Sequence, residues 1–134
     1  MKSKVLETSL ELYPDLILDG EDGSVTVVIT HDYYASDNDH GRELLLSFIN
    51  AMLDDTGKMY RFIFVDSSVK LFSSVTDFTF KMSQIASRGA SVLLCSDSLD
   101  YYLADKEELD FAEFVTKETV ALEILNSTHT ITLG

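Results

Sequence analysis

Three short runs of almost unbroken apolar residues constrain this chain most: residues 25–30 (VTVVIT), 60–65 (YRFIFV) and 91–95 (SVLLC). A strand of a half-solvated antiparallel sheet alternates apolar and polar residues. Runs this continuous fit strands covered on both faces, as in parallel sheets. Between them the period changes to that of a helix. Asp39 is a plausible N-cap, and Leu44, Leu45, Phe48, Ile49, Met52 and Leu53 recur at helical spacing up to Gly57. A second amphipathic helix is expected over residues 75–87, with Phe78, Met82, Ile85 and Ala86 inward and Gly89 past its end.

The remainder follows the same rhythm. Residues 104–110 read as a short exposed helix and 111–115 as a brief strand. A third clear helix is expected over 116–125, with Val120, Leu122, Ile124 and Leu125 as apolar cover, and 129–133 (HTITL) as the last strand. Strands alternating with helices imply parallel pairing through right-handed crossovers. The expected fold is therefore α/β, a three-layer α/β/α sandwich with a mostly parallel sheet of about five strands. Val27, Val28, Ile29, Phe62, Phe64, Val92 and Leu94 should be among its most buried residues. At 134 residues the chain fits one compact domain. We divide it into an N-terminal extension, 1–23, closed by the acidic turn at 19–23, and the α/β domain, 24–134.

Charge narrows the function. Asp and Glu number 23 against 10 Lys and Arg, a net charge of −13, and the basic residues are scattered singly. Such a surface repels phosphate backbones and anionic bilayers, so neither nucleic acid nor membrane is an expected partner. No apolar run approaches the length of a membrane span. One cysteine forms no internal disulfide, which agrees with a reducing, cytoplasmic home.

In an open α/β sheet, chemistry sits beyond the carboxyl ends of the strands. Three strands deliver polar residues to that edge: His31-Asp32, Asp66-Ser67-Ser68 and Cys95-Ser96-Asp97. Cys95 is the sharpest candidate, because a thiolate beside a cation or helix N-terminus is a strong nucleophile. Ser96 or Asp97 is placed to cap a helical turn there, and Lys70 to add positive charge, while Asp97 and Asp100 oppose the thiolate. The expected site joins His31, Ser67, Lys70, Asp97, Ser98 and Asp100 around Cys95. A Cys95–His31–Asp66 triad is geometrically conceivable, and so is a small buried cysteine with no chemistry. The acids and histidines of 31–40 match no ligand spacing, so no metal and no cofactor is expected. The aromatic-rich stretch with Tyr101, Tyr102, Leu103, Phe111 and Phe114 suggests self-association.

Residues 89–102 (GASVLLCSDSLDYY) resemble the cysteine segment of the DsrE/DsrF-like family, most nearly the C-terminal domain of YedF-type, sulfurtransferase-like proteins linked to selenium metabolism. Residues 62–71 (FIFVDSSVKL) and 41–48 (GRELLLSF) agree in order and spacing. The resemblance implies the same three-layer fold, commonly homo-oligomers, and a cysteine at Cys95 that carries sulfur as a persulfide between protein partners. It also implies a sulfur-carrier protein as a possible partner. The chain departs from the YedF-type pattern at Ser98, where a second cysteine is usual, and in having residues 1–23 where a small sulfur-carrier-like domain usually stands. A vicinal redox pair is lost and a single-cysteine relay survives. The alternative is a non-catalytic oligomeric binding module in which Cys95 is structural.

Overall fold

A computed structural model of the protein describes residues 24–55, 59–74, 77–102 and 109–134. Five strands form one sheet: β1 (Ser24–Ile29), β2 (Met59–Phe64), β3 (Ser91–Cys95), β4 (Glu113–Val115) and β5 (Thr130–Leu133). Their spatial order is β4-β3-β2-β1-β5, and all four pairings are parallel. The helices are α1 (Asp39–Asp54), α2 (Leu71–Ser74), α3 (Phe78–Ser87), α4 (Ser96–Tyr102) and α5 (Lys117–Leu125), with a 3₁₀ turn at Asp66–Lys70.

From β1 the chain steps to β2, β3 and β4 in one direction, and α5 then returns it past all of them to the far side of β1. Right-handed crossovers lay helices of same-direction steps on one face and the helix of the reverse step on the other. The cores obey this. Side chains alternate along each strand, so Val27, Ile29, Phe62, Phe64, Val92 and Leu94 turn to the first face and bury against Leu45 and Ile49 of α1 and Phe78, Met82 and Ile85 of α3. Phe64, Phe72 and Phe78 meet edge to face, with centroids 4.9 to 5.9 Å apart. Each such pair adds about 0.5–1.5 kcal/mol beyond the area it buries. Ile63, Leu93, Cys95 and Val115 form a smaller cluster on the second face, beneath Val120 and Ile124 of α5.

All seven residues expected to be most buried are buried. The apolar cover assigned to the last helix is half right. Val120 and Ile124 face the sheet, whereas Leu122 and Leu125 are 60% and 78% exposed, because one helix lying on a sheet offers only a single inward stripe. The N-cap of α1 is Asn38, not Asp39: its Oδ1 accepts from the Gly41 N–H at 2.9 Å. Phe48 is half-exposed and tilts against Tyr34, 4.8 Å between ring centroids. The 31–38 loop packs onto the first turn of α1 so closely that a Cβ at Gly41 would lie 1.7 Å from the Ser36 carbonyl oxygen.

Four expectations lie outside the described residues: the 1–23 extension, Gly57 as terminator of α1, the beginning of the second helix at 75, and most of the exposed helix at 104–110. The aromatic stretch is only partly surface. Phe111 packs on Phe72 at 6.4 Å, while Tyr101 and Phe114 remain exposed and Leu103 is not described.

Candidate functional site

The apolar run of β3 ends at Cys95, and α4 begins with the next residue. Cys95 stands level with Val115 at the end of β4, and the Ser96 hydroxyl donates to the Val115 carbonyl at 3.1 Å, tying the two strand ends together. Beyond them the chain parts. Helix α4 carries Leu99 into the first-face core, while α5 carries Val120 onto the second face. A sheet whose neighbouring strands send the chain to opposite faces leaves a crevice between their carboxyl ends. Here it is an open cleft of about 340 Å³.

Cys95 lines this cleft and is only 4% exposed. Asp97, Ser98, Tyr101 and Tyr102 enter it from α4, Asp66 from the end of β2 and Lys117 from the start of α5. Lys117 Nζ donates to Asp97 Oδ2 at 2.9 Å and so bridges the two helices that diverge there. The hydrogen bond from Lys117 holds the Asp97 carboxyl below its ordinary pKa, and the same bond raises that of Lys117.

Asp66 organises the opposite wall. Its φ of 55° puts it in the left-handed region that side chains seldom occupy, although Asp tolerates it better than most. In that conformation its N–H donates to Ser98 Oγ at 2.8 Å, and its carboxylate accepts from the Tyr102 hydroxyl at 3.1 Å. Burial, followed by the hydrogen bond to Asp66, raises the Tyr102 pKa.

Of the residues expected around Cys95, the structure brings Asp97 and Ser98 into the cleft. The others stand elsewhere. Lys70 lies over the Tyr102 ring, 5.4 Å from its centroid and 4.0 Å from Asp32, so among the described residues Lys117 and not Lys70 is the cation lining the cleft. The reason is geometric: the 3₁₀ turn after β2 points Lys70 toward the β1 loop, while the return crossover brings α5 back beside β3. His31 stacks on Tyr33 at 4.7 Å, with Nδ1 3.1 Å from Thr30 Oγ1 and Nε2 3.8 Å from Asp66. The pairing of His31 with Asp66 is thus present, but the imidazole does not line the cleft. Ser67 is buried in the 3₁₀ turn, and its Oγ has no hydrogen-bond partner among the described residues. Asp100 is exposed on α4 and does not line the cleft. The carboxylates of Asp32, Asp37 and Asp39 gather around Arg42 at 2.8 to 3.9 Å.

Lys117 is the residue that sequence reasoning missed. A signal existed, because it directly follows the Thr116 cap of the helix after β4. A roomier groove of about 630 Å³ runs between α1 and α3, lined by Asn50, Leu53, Lys81 and Arg88 among others. Its lining residues include no cysteine.

No known family and no curated protein matches the sequence. Solved structures do match the fold. MTH1491 from Methanobacterium thermoautotrophicum, a protein of unknown function, is 18% identical, with a TM-score of 0.54 over 81% of this chain and 97% of its own. BT1422 from Bacteroides thetaiotaomicron, a conserved protein of unknown function, is 14% identical, with a TM-score of 0.60 over 85% of this chain and 97% of its own. The ychN protein of E. coli is 14% identical, with a TM-score of 0.53 over 82% of this chain and 99% of its own. At these identities the likeness is one of fold. The protein shares its α/β fold with all three. Among the described residues no helix is long and apolar enough to cross a membrane.

Proposed function

We propose that the protein is a sulfur-relay protein of the DsrE/DsrF-like kind, in which Cys95 accepts sulfur and passes it on as a persulfide. One observation carries the reading. The chain's only thiol lines the cleft where β3 and β4 send the chain to opposite faces, with a lysine in the same cleft. The resemblance of residues 89–102 to the family's cysteine segment supports it. A relay on a single thiol also suits a reducing, cytoplasmic compartment.

The chemistry balances without an external oxidant. The Cys95 thiolate attacks the terminal sulfur of a donor persulfide. Its S–S bond breaks as a new S–S bond forms at Cys95 Sγ, and the departing donor thiolate takes up the proton that Cys95 gave up. An acceptor thiolate, on a sulfur-carrier protein, then attacks the outer sulfur and releases Cys95 as a thiolate. Lys117 favours the anionic sulfur at both stages. Asp97 fixes the ammonium, and Ser98 and Tyr102 shape the wall.

A second reading is favoured by the 4% exposure of Cys95 and its packing with Ile63, Leu93 and Val115. In it the cysteine is structural and the domain is a non-catalytic, oligomeric binding module. Intact-mass spectrometry after incubation with a small-molecule persulfide separates the two. The relay predicts one added sulfur atom on the native chain and none on Cys95→Ala. A native chain that stays unmodified defeats the relay and leaves the module.

A further inference from the structure

We propose that the cleft selects sulfur reactants by charge: it admits those with positive charge beside the reacting sulfur and turns away anionic ones, and Asp66 is the residue that discriminates. This rests on the relay reading in one respect, that Cys95 is the reacting atom, and adds the class of donor that reaches it.

Among the described residues, three charged side chains line the cleft: Asp66, Asp97 and Lys117. The lysine is matched twice, by Asp97 at 2.9 Å and by Glu118 at 3.5 Å. Asp66 is not matched in that way. Its side chain is 57% exposed and accepts from the Tyr102 hydroxyl at 3.1 Å, a neutral partner whose pKa is raised. His31 Nε2, at 3.8 Å, offsets the carboxylate only when the imidazole is protonated. Lys70 Nζ is set against Asp32, 4.0 Å away. With His31 neutral, the cleft therefore carries an uncompensated negative charge.

The aromatic wall works in the same direction. Tyr101 is 79% exposed and meets the Tyr102 ring edge to face at 4.9 Å. Aromatic faces attract ammonium and guanidinium groups, as the Tyr102 ring does with Lys70 Nζ at 5.4 Å. A carboxylate beside an open aromatic face, on a chain of net charge −13, draws cations toward the thiol and repels anions. The donor that fits is a persulfide flanked by lysine or arginine side chains, and a small anionic persulfide is a poor one. Asp66→Asn isolates the charge. Asn tolerates the left-handed φ of 55° as well as Asp does, so the variant keeps the N–H to Ser98 and an oxygen for the Tyr102 hydroxyl.

The test uses two methanethiosulfonates of similar size, one ending in trimethylammonium and one in sulfonate. They react with the full chain under mildly alkaline conditions, which disfavour a protonated His31. In each case the Cys95 thiolate attacks the sulfenyl sulfur, the S–SO₂ bond breaks, and methanesulfinate leaves as the mixed disulfide forms. Rates are followed by mass spectrometry, with 2-mercaptoethanol as the reference thiol. The cation-to-anion rate ratio should exceed that of the reference and fall toward it as salt is raised. A unit charge about 6 Å away in water changes the local concentration of a charged reagent about threefold, in opposite senses for the two, so Asp66→Asn should lower the ratio about tenfold. Asp54→Asn removes the same charge at the end of α1, at the opposite edge of the sheet, and should lower it far less. The salt dependence of the wild type needs no variant and decides the matter where Asp66→Asn fails to fold. A wild-type ratio equal to the reference, or one that ignores salt, overturns the proposal. Equal effects of the two variants do so as well, and so does a Cys95 that reacts with neither reagent. If the ratio behaves as expected yet a persulfide donor leaves Cys95 unmodified, the relay is wrong and the charge selection stands.

Discussion

The two faces of the sheet are built differently. The first is sealed by α1 and α3 over a cluster in which Phe62, Phe64, Phe72 and Phe78 interlock. Among the described residues the second rests under α5, on Ile63, Leu93, Cys95, Val115 and Val120. The difference arises from topology, because three consecutive steps in one direction put their helices on one side and the single return puts one helix on the other. Stability is thereby concentrated on the first face. The only thiol belongs to the second, at the end of the strand where the cover runs out. A cysteine among the phenylalanines would be inert packing, whereas one at the rim of a thin layer has a route to solvent through the cleft.

The largest consequence of this contrast is energetic. Phe64→Ala should lower unfolding free energy by about 3–5 kcal/mol, the range for a fully buried phenylalanine, as measured by denaturant titration. A loss equal to that of a second-face truncation would break the comparison. Cys95→Ser comes next. The two side chains are nearly isosteric, but burial leaves the serine hydroxyl among Ile63, Leu93 and Val115, at a cost of about 1–3 kcal/mol, so Cys95→Ala is the cleaner control. Val120→Ala removes two buried carbons at about 0.8 kcal/mol each. It should cost about 1–2 kcal/mol, and by thinning the cover it should also speed alkylation of Cys95.

The smallest effect concerns the pair that bridges α4 and α5. Lys117 holds the Asp97 pKa low, so this contribution to stability is present above the ordinary Asp range and fades as pH falls through the lowered value. For Lys117, whose pKa is raised, the contribution is present below the ordinary Lys range and is lost as pH rises through the raised value. Asp97 should titrate by NMR at a lower pH than a free aspartate, and Lys117→Met should return it toward the ordinary midpoint. An Asp97 midpoint unmoved by Lys117→Met would mean that the bridge does not persist in solution.

Much of the first face was legible in the sequence. Continuous apolar runs mark strands covered on both sides, and the i, i+3, i+4 spacing of Leu45, Ile49, Phe78 and Met82 marks the helices that cover one of them. Strand ends are sharp where the chain turns polar, which placed Cys95, Asp97 and Ser98 at one edge. What the sequence did not reveal depends on which strands become neighbours. Lys117 reaches the cleft only because β4 lies beside β3, and Lys70 fails to because a 3₁₀ turn, unmarked by glycine or proline, swings it toward Asp32. Leu122 and Leu125 looked like cover because apolar content says nothing about which stripe of a lone helix meets a sheet.

The most direct test of the account is the reaction of native Cys95 with iodoacetamide near neutral pH, followed by mass spectrometry in wild type, Lys117→Met and a urea-unfolded control. If the cleft opens onto the thiol and Lys117 favours its anion, the native protein is alkylated at Cys95, and Lys117→Met reacts more slowly while remaining folded. If native Cys95 stays silent and reacts only after unfolding, the cysteine is packing, and the relay assigned to this cleft is wrong.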